Sequence, residues 1–249
     1  MKRTHSIQFH SRLQLNRLVL SLTLTCGLVL GGLPIAAAQT YVPTNRGGLP
    51  GRREGGGTRG GCPISGAALT SLSPNTNFGT TTTEYPTFFW YVPSTSPIVA
   101  EFVLLDEDDE EVYSAMFQIT GESGVISLSL PPNANLPPLE IGKDYRWFFF
   151  LICDPTDRSG DIYTAGWIQR VAPDPVLVSQ IEAAPPTDRP ALYAKASIWY
   201  DAIASLADLR RTQPDDPALL EQWQTLLGSI DLSDLADEPL VQCCEPPVR

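Results

Sequence analysis

Only two histidines occur, His5 and His10, and both lie in a segment that reads as a cleaved leader. Beyond that leader, Ser-His-Asp and Cys-His nucleophilic sites are closed to the chain, and the commonest metal ligand is missing. Lysine is nearly as scarce. Lys143 and Lys195 are the only two after the leader, and neither sits three residues beyond a serine. The Ser-x-x-Lys acylase route is therefore closed as well. One acid/base device is left. Glu84, Glu101, Glu140 and Asp154 flank aromatic runs, as the paired carboxylates of a glycan hydrolase would. With 28 Asp and Glu in 249 residues, such neighbours arise by chance. The expectation is a noncatalytic protein with no catalytic residue, no cofactor and no bound metal.

Two acidic stretches bear on that last point. Asp106 to Glu111 reads DEDDEE, and carboxylate oxygens are what Ca²⁺ prefers, but the alternation and glycine of an EF-hand loop are missing. It reads as a solvated hairpin tip. Asp154, Asp157 and Asp161, with Gly160, read as an ordinary turn between strands. Cysteine gives a firmer signal. Cys26 would leave with the leader, and Cys62, Cys153, Cys243 and Cys244 remain, an even number suited to an oxidising compartment. The expected disulfide joins Cys62 to Cys153. Cys243 and Cys244 are adjacent, so they would bond each other only with strain or pair outside the chain. The four lack the paired C-x-x-C spacing of a redox or tetrathiolate zinc site.

These residues need elements to position them. From Leu69 to Val171 short apolar runs are cut by Pro, Gly, Asn and Asp: Thr87–Val92, Val99–Leu105, Val112–Ile119, Val125–Leu130, Tyr145–Cys153, Tyr163–Val171 and a weaker Leu69–Leu72. Seven strands at roughly ten-residue spacing predict an antiparallel β-sandwich of immunoglobulin or fibronectin type over residues 62–172. Leu139, Gly142 and Tyr145 have the L-x-x-G-x-x-Y spacing of a tyrosine corner. Along the strand that follows, Tyr145, Trp147, Phe149 and Leu151 share one face. Phe148, Phe150 and Ile152 make the other face apolar too, so something is expected to cover it. Trp90, Tyr91, Trp147 and Trp167 could stack sugar rings, although most such aromatics face a core. Phe148, Phe150 and Trp167 are the candidate partner-binding aromatics.

After a Pro-rich linker at 173–190, residues 191–240 predict a helical hairpin. Leu192, Ala196, Trp199, Ile203, Leu206 and Leu209 form one apolar stripe. Asp216 and Pro217 start a second helix carrying Leu219, Leu220, Trp223, Leu226 and Leu227, closed by Gly228. Ala202, Leu206, Leu209 and Pro214 match half of one tetratricopeptide repeat, and a single copy cannot form an array. The hairpin is expected to dock over the apolar outer face of the Tyr145 strand, leaving 241–249 as a tail.

The N-terminus sets the address. Lys2, Arg3, Arg12 and Arg17 precede an apolar run from Leu18 to Leu33, and Ala36-Ala37-Ala38 follows. This is the pattern of a signal peptide over 1–38, against a membrane anchor as the alternative. Export to the periplasm or beyond the cell is expected, with no transmembrane segment after cleavage. Residues 39–61 read as a disordered tether, because eight of the sixteen residues from Arg46 to Gly61 are glycine. Its four arginines leave a cationic contact with an anionic envelope polymer as the alternative. Four of the 17 basic residues leave with the leader, and 13 against 28 acidic ones give a net charge of −15. A body so acidic excludes nucleic acid as a partner. The expected partner is an envelope protein, or a glycan if the chain is a carbohydrate-binding module.

The strings GRREGGGTRGGC, EYPTFFWYVP, AEFVLLDED, ISLSLP, LEIGKDYRWFFFLICDP and GWIQRV occur in that order. With SIWYDAIASLADLRR from the helical part, the sequence resembles domain of unknown function 928, a family of exported cyanobacterial proteins. The resemblance implies an exported protein of a photosynthetic bacterium and carries over no activity and no catalytic residue.

Overall fold

The computed structural model describes residues 40–46, 48–55, 62, 64–96, 99–132, 136–241 and 243. The expected leader, Cys26 and Cys244 lie outside them. The chain is mainly β, with several sheets and a C-terminal helical region. Among the described residues the strands are β1 (Ile64–Ser65), β2 (Thr70–Ser71), β3 (Phe78–Thr81), β4 (Thr87–Val92), β5 (Ser94–Thr95), β6 (Val99–Leu105), β7 (Glu111–Gln118), β8 (Gly124–Ser129), β9 (Asp144–Ile152) and β10 (Ile162–Arg170). Each of the seven apolar runs read from the sequence falls on a strand to within two residues.

A five-stranded sheet has the order β3-β10-β9-β6-β7, a three-stranded sheet the order β2-β4-β8, and β1 pairs with β5. The larger sheet is mixed, because β3 runs parallel to β10, with Phe78 opposite Trp167. That corrects the expectation of an antiparallel arrangement throughout. The alternating side chains of β4 and β9 explain why the two sheets adhere. Trp90 stacks on Phe149 with centroids 4.2 Å apart, and Phe88 meets both Phe102 and Trp147. Trp90, Trp147, Phe102 and Phe149 are fully buried, each burying on the order of 150–250 Å² of apolar area. Where β9 begins, the Glu140 N–H donates to the Tyr145 hydroxyl at 3.0 Å, as the corner spacing predicts.

The helices are α1 (Pro175–Ala183), α2 (Arg189–Lys195), α3 (Trp199–Thr212) and α4 (Pro217–Gly228). Three expectations need correction. The Pro-rich stretch holds α1, because Asp174 caps it by accepting from the Val176 and Leu177 N–H groups and Pro175 fits the first helical position. The apolar stripe from Leu192 to Leu209 is broken between α2 and α3, where Ser197 takes φ +67°. The hairpin does not cover the outer face of β9. Instead α3 packs on β3 and β4 and extends the core between the sheets. Tyr200 lies against Phe88 and accepts from Trp147 Nε1 at 2.9 Å. Trp199 Nε1 donates to the Leu72 carbonyl at 2.8 Å.

Sheet and helix residues thus share one core, and the described residues all fall in one compact unit. Helix α3 approaches the β3 backbone closely. A Cβ at Gly79 would lie 2.9 Å from Tyr200 Cε2 and 3.3 Å from Trp199 Cβ. Gly79→Ala is expected to cost about 1–3 kcal/mol in urea unfolding, as overpacking of a filled core does.

The tether expectation is corrected for the residues described, since 48–55 lie along the edge of the sheets. Arg52 and Ala165 exchange both backbone hydrogen bonds, at 2.9 and 2.8 Å, and the Gly55 N–H donates to the Leu69 carbonyl at 2.7 Å. A Cβ at Gly55 would lie 2.5 Å from Ile162 Cγ2, so this glycine permits close approach rather than freedom. Residues 56–61 of the tether lie outside the described residues. Cys62 is bonded to Cys153 with Cα atoms 5.0 Å apart, and Cys243 is also disulfide-bonded.

Candidate binding face

The outer face of the five-stranded sheet is a grid set by strand register. One row reads Tyr163, Phe150, Glu101 and Met116 across β10, β9, β6 and β7. The next reads Ala165, Phe148, Val103 and Ser114, and the third Trp167, Arg146, Leu105 and Glu111. Phe148, Phe150, Tyr163 and Trp167 are half-buried, although their strand neighbours on the inner face are sealed. Phe148 and Phe150 stack at 5.9 Å, and Phe150 meets Tyr163 at 5.4 Å. All three sequence-predicted aromatics therefore share this face, and Tyr163 joins them.

The cover on the aromatics is guanidinium. Arg146 lies 4.6 Å from the Phe148 ring centroid and 5.7 Å from that of Trp167. Arg52 sits 4.8 Å over Tyr163, and Arg158 5.8 Å over Phe150. Such contacts contribute roughly 0.5–1 kcal/mol each at exposed positions. The backbone of 50–54 closes the β10 side, where Trp167 Nε1 donates to the Pro50 carbonyl at 2.8 Å.

The cations differ in how they are balanced. Arg158 donates to Glu101 at 2.7 Å and to Asp161, and these hydrogen bonds hold its pKa above the ordinary arginine value. Arg46 pairs with Asp144 and stacks on Phe78. Arg52 and Arg146 make no ion pair among the described residues, and Arg146 Nε is buried without a hydrogen-bond partner. Reading the sequence for aromatics passed over these arginines. The alternation of Arg146 with Phe148 and Phe150 along β9 was the one available signal.

The candidate carboxylates are not assembled into an acid/base pair. Glu84 pairs with Arg170, Glu101 with Arg158, and Glu140 with Lys143. Asp154 accepts from the Thr156 hydroxyl and N–H at 2.7 and 2.8 Å, which holds it below the usual carboxylate range. A carboxylate so stabilised is a poor general acid. In the DEDDEE tip, Asp106 is held low by the backbone N–H groups of Glu110 and Asp108 and by Lys143. No three His, Cys, Asp or Glu side chains among the described residues converge to hold a metal ion. Nor is any described helix long and apolar enough to cross a membrane.

The family Domain of Unknown Function (DUF928) matches residues 54–240, which include the strands and helices named above and two of the four stacked arginines, Arg146 and Arg158. The chain belongs to this family. No curated protein and no solved structure matches it.

Proposed function

We propose that this DUF928 chain is a noncatalytic exported binding module of the envelope, built on an immunoglobulin-like sandwich, and that the outer β9–β10 face docks a partner protein. The strand order and the Tyr145 corner support the immunoglobulin-like reading. The leader pattern and the Cys62–Cys153 disulfide support export.

One observation carries the binding role. Arg52 and Arg146 lie over a half-buried aromatic row without an ion-pair partner for either among the described residues, in a chain whose mature charge is −15. Tyrosine, tryptophan and arginine presented by a sheet are the residues that dominate protein–protein binding energy. Sugar stacking needs open ring faces, and here Arg146, Arg52 and Arg158 occupy them, so a protein surface with carboxylates fits better than a glycan.

The test is crosslinked capture of the tagged mature chain from its native envelope, with proteins and glycans both identified. The double variant Arg52→Glu, Arg146→Glu is expected to lose its protein partner roughly tenfold or more while still unfolding cooperatively, with its Tm lowered by about 3–12 °C for the three ring contacts removed. Glycan enrichment without protein, or unchanged capture by the variant, would overturn the reading.

A further inference from the structure

Where β10 ends, Val171 and Ala172 lead into α1, and a cavity of about 520 Å³ opens between α1, the end of α2 and β3. That volume lies within the roughly 300–1,000 Å³ of small-molecule sites. Val171, Val176, Leu177, Leu192 and Ile198 make its apolar walls. Val176 is 65% exposed and Val42 47%. Val42 is tied to α2 through its N–H on the Ala194 carbonyl, two residues before Thr44 of the lining, so apolar surface continues at the rim.

The polar lining is Thr44, Thr80, Asp174, Gln180, Lys195 and Ser197, and the side chains of Thr44, Gln180, Lys195 and Ser197 have no partner among the described residues. The other charged group, Asp174, is occupied as the cap of α1, with Oδ1 accepting at 2.8 and 3.2 Å. Lys195 is thus the one charged group of the lining without a hydrogen-bond partner among the described residues, while the Asp174 carboxylate keeps its negative charge against the N-terminus of α1. Ser197 is held at φ +67° while its carbonyl accepts from Thr80 Oγ1 at 2.7 Å. Glycine would occupy that backbone conformation without the ~1–2 kcal/mol penalty. A serine there puts a hydroxyl-bearing residue into the lining that also holds Lys195, at an energetic cost.

We propose that this cavity binds a medium-chain amphiphilic carboxylate. The acyl chain lies along the valine and leucine walls, and the head group meets Lys195 Nζ and Ser197 Oγ. The overall acidity of the chain argues against a polyanion. A monoanion with an apolar tail gains most of its binding energy by burial, and one cation suffices to orient it.

The test is calorimetric titration of the mature chain with decanoate, with decanol and decyltrimethylammonium as comparison probes. Decanoate is expected to bind saturably at one site, at least tenfold more tightly than either comparison compound. Lys195→Ala, at an exposed position, is expected to weaken decanoate about tenfold, or about 1.4 kcal/mol, at unchanged Tm. Ala196→Trp, which fills the lining from an exposed position, is expected to abolish binding. No saturable decanoate binding, equal binding of the alcohol or the ammonium compound, or full affinity in Lys195→Ala would each overturn the proposal.

Discussion

A chain with alanine at both Cys62 and Cys153 is expected to lose about 4 kcal/mol of stability in urea unfolding, since a cross-link closing so long a loop strongly restricts the unfolded chain. The two cysteines are separated by 91 residues. Loop closure alone does not make the bond matter; what it anchors does. The stretch it ties down reaches β1, a two-residue strand whose one strand partner among the described residues is the equally short β5. Nothing in that corner resembles the long ladders of β6, β9 and β10, so the disulfide replaces hydrogen bonds that the segment lacks. Reductant is the blunter test, because Cys243 is disulfide-bonded too and the double variant isolates one bond. A loss below about 1 kcal/mol would mean that the β1–β5 corner and the Leu69 contacts hold the segment unaided. A loss near the expected size would leave the chain poorly suited to a reducing compartment, which bears directly on the proposed export.

Legibility in the sequence followed the range of the forces involved. Strands β4, β6, β9 and β10 were readable as apolar runs of strand length bounded by Pro, Gly, Asn and Asp, a strictly local signal, and burial alternates along β6 and most of β9. Helix α4 was readable from Asp216 and Pro217, and the Asp216 carboxylate does accept from the Ala218 N–H at 2.8 Å. Strand β3 was not. Phe-Gly-Thr-Thr carries no alternation, and its place beside β10 depends on α3 packing from 120 residues away. The break at Ser197 escaped for the same reason. Leu192, Ala196 and Trp199 keep helical spacing across it, but Thr80 holds the Ser197 carbonyl and Trp199 must enter the core. Proline content hid α1, although Asp174 and Pro175 are a good helix start. On the binding face the aromatics were legible as an apolar strand with no wet side. Their guanidinium cover was not, since Arg52 reaches Tyr163 through a segment whose glycines suggested disorder.

Asp201→Ala is the second substitution with a large expected effect, about 3 kcal/mol, or roughly 6–12 °C in Tm for a chain of this size. Asp201 sits in the first turn of α3 with 8% exposure. Its carboxylate accepts from the Thr81 hydroxyl at 2.6 Å, the Thr82 hydroxyl at 2.6 Å, the Thr82 N–H at 3.2 Å and the Thr83 hydroxyl at 3.1 Å. Thr81 ends β3 and Thr82 and Thr83 follow it, so one side chain fastens the helix that enters the core to the strand whose position is least determined locally. Alanine strands the fully buried Thr81 hydroxyl and leaves the half-buried Thr82 donors short of a partner, while the exposed Thr83 hydroxyl turns to water. Asparagine is milder, because threonine hydroxyls can turn to accept from its amide. It therefore separates the staple from the charge. Burial pushes the Asp201 carboxyl above the ordinary carboxylate range, and the Thr81, Thr82 and Thr83 donors pull it only part of the way back. As pH rises between the unfolded and folded values, the folded chain still holds a proton that the unfolded chain has released, so stability falls across that interval. Asp201→Asn has no proton to lose there and should show no such fall. If urea unfolding from pH 3.5 to pH 7 gave both chains the same slope, the buried carboxyl would not be the titrating group, and only the hydrogen-bond staple would stand.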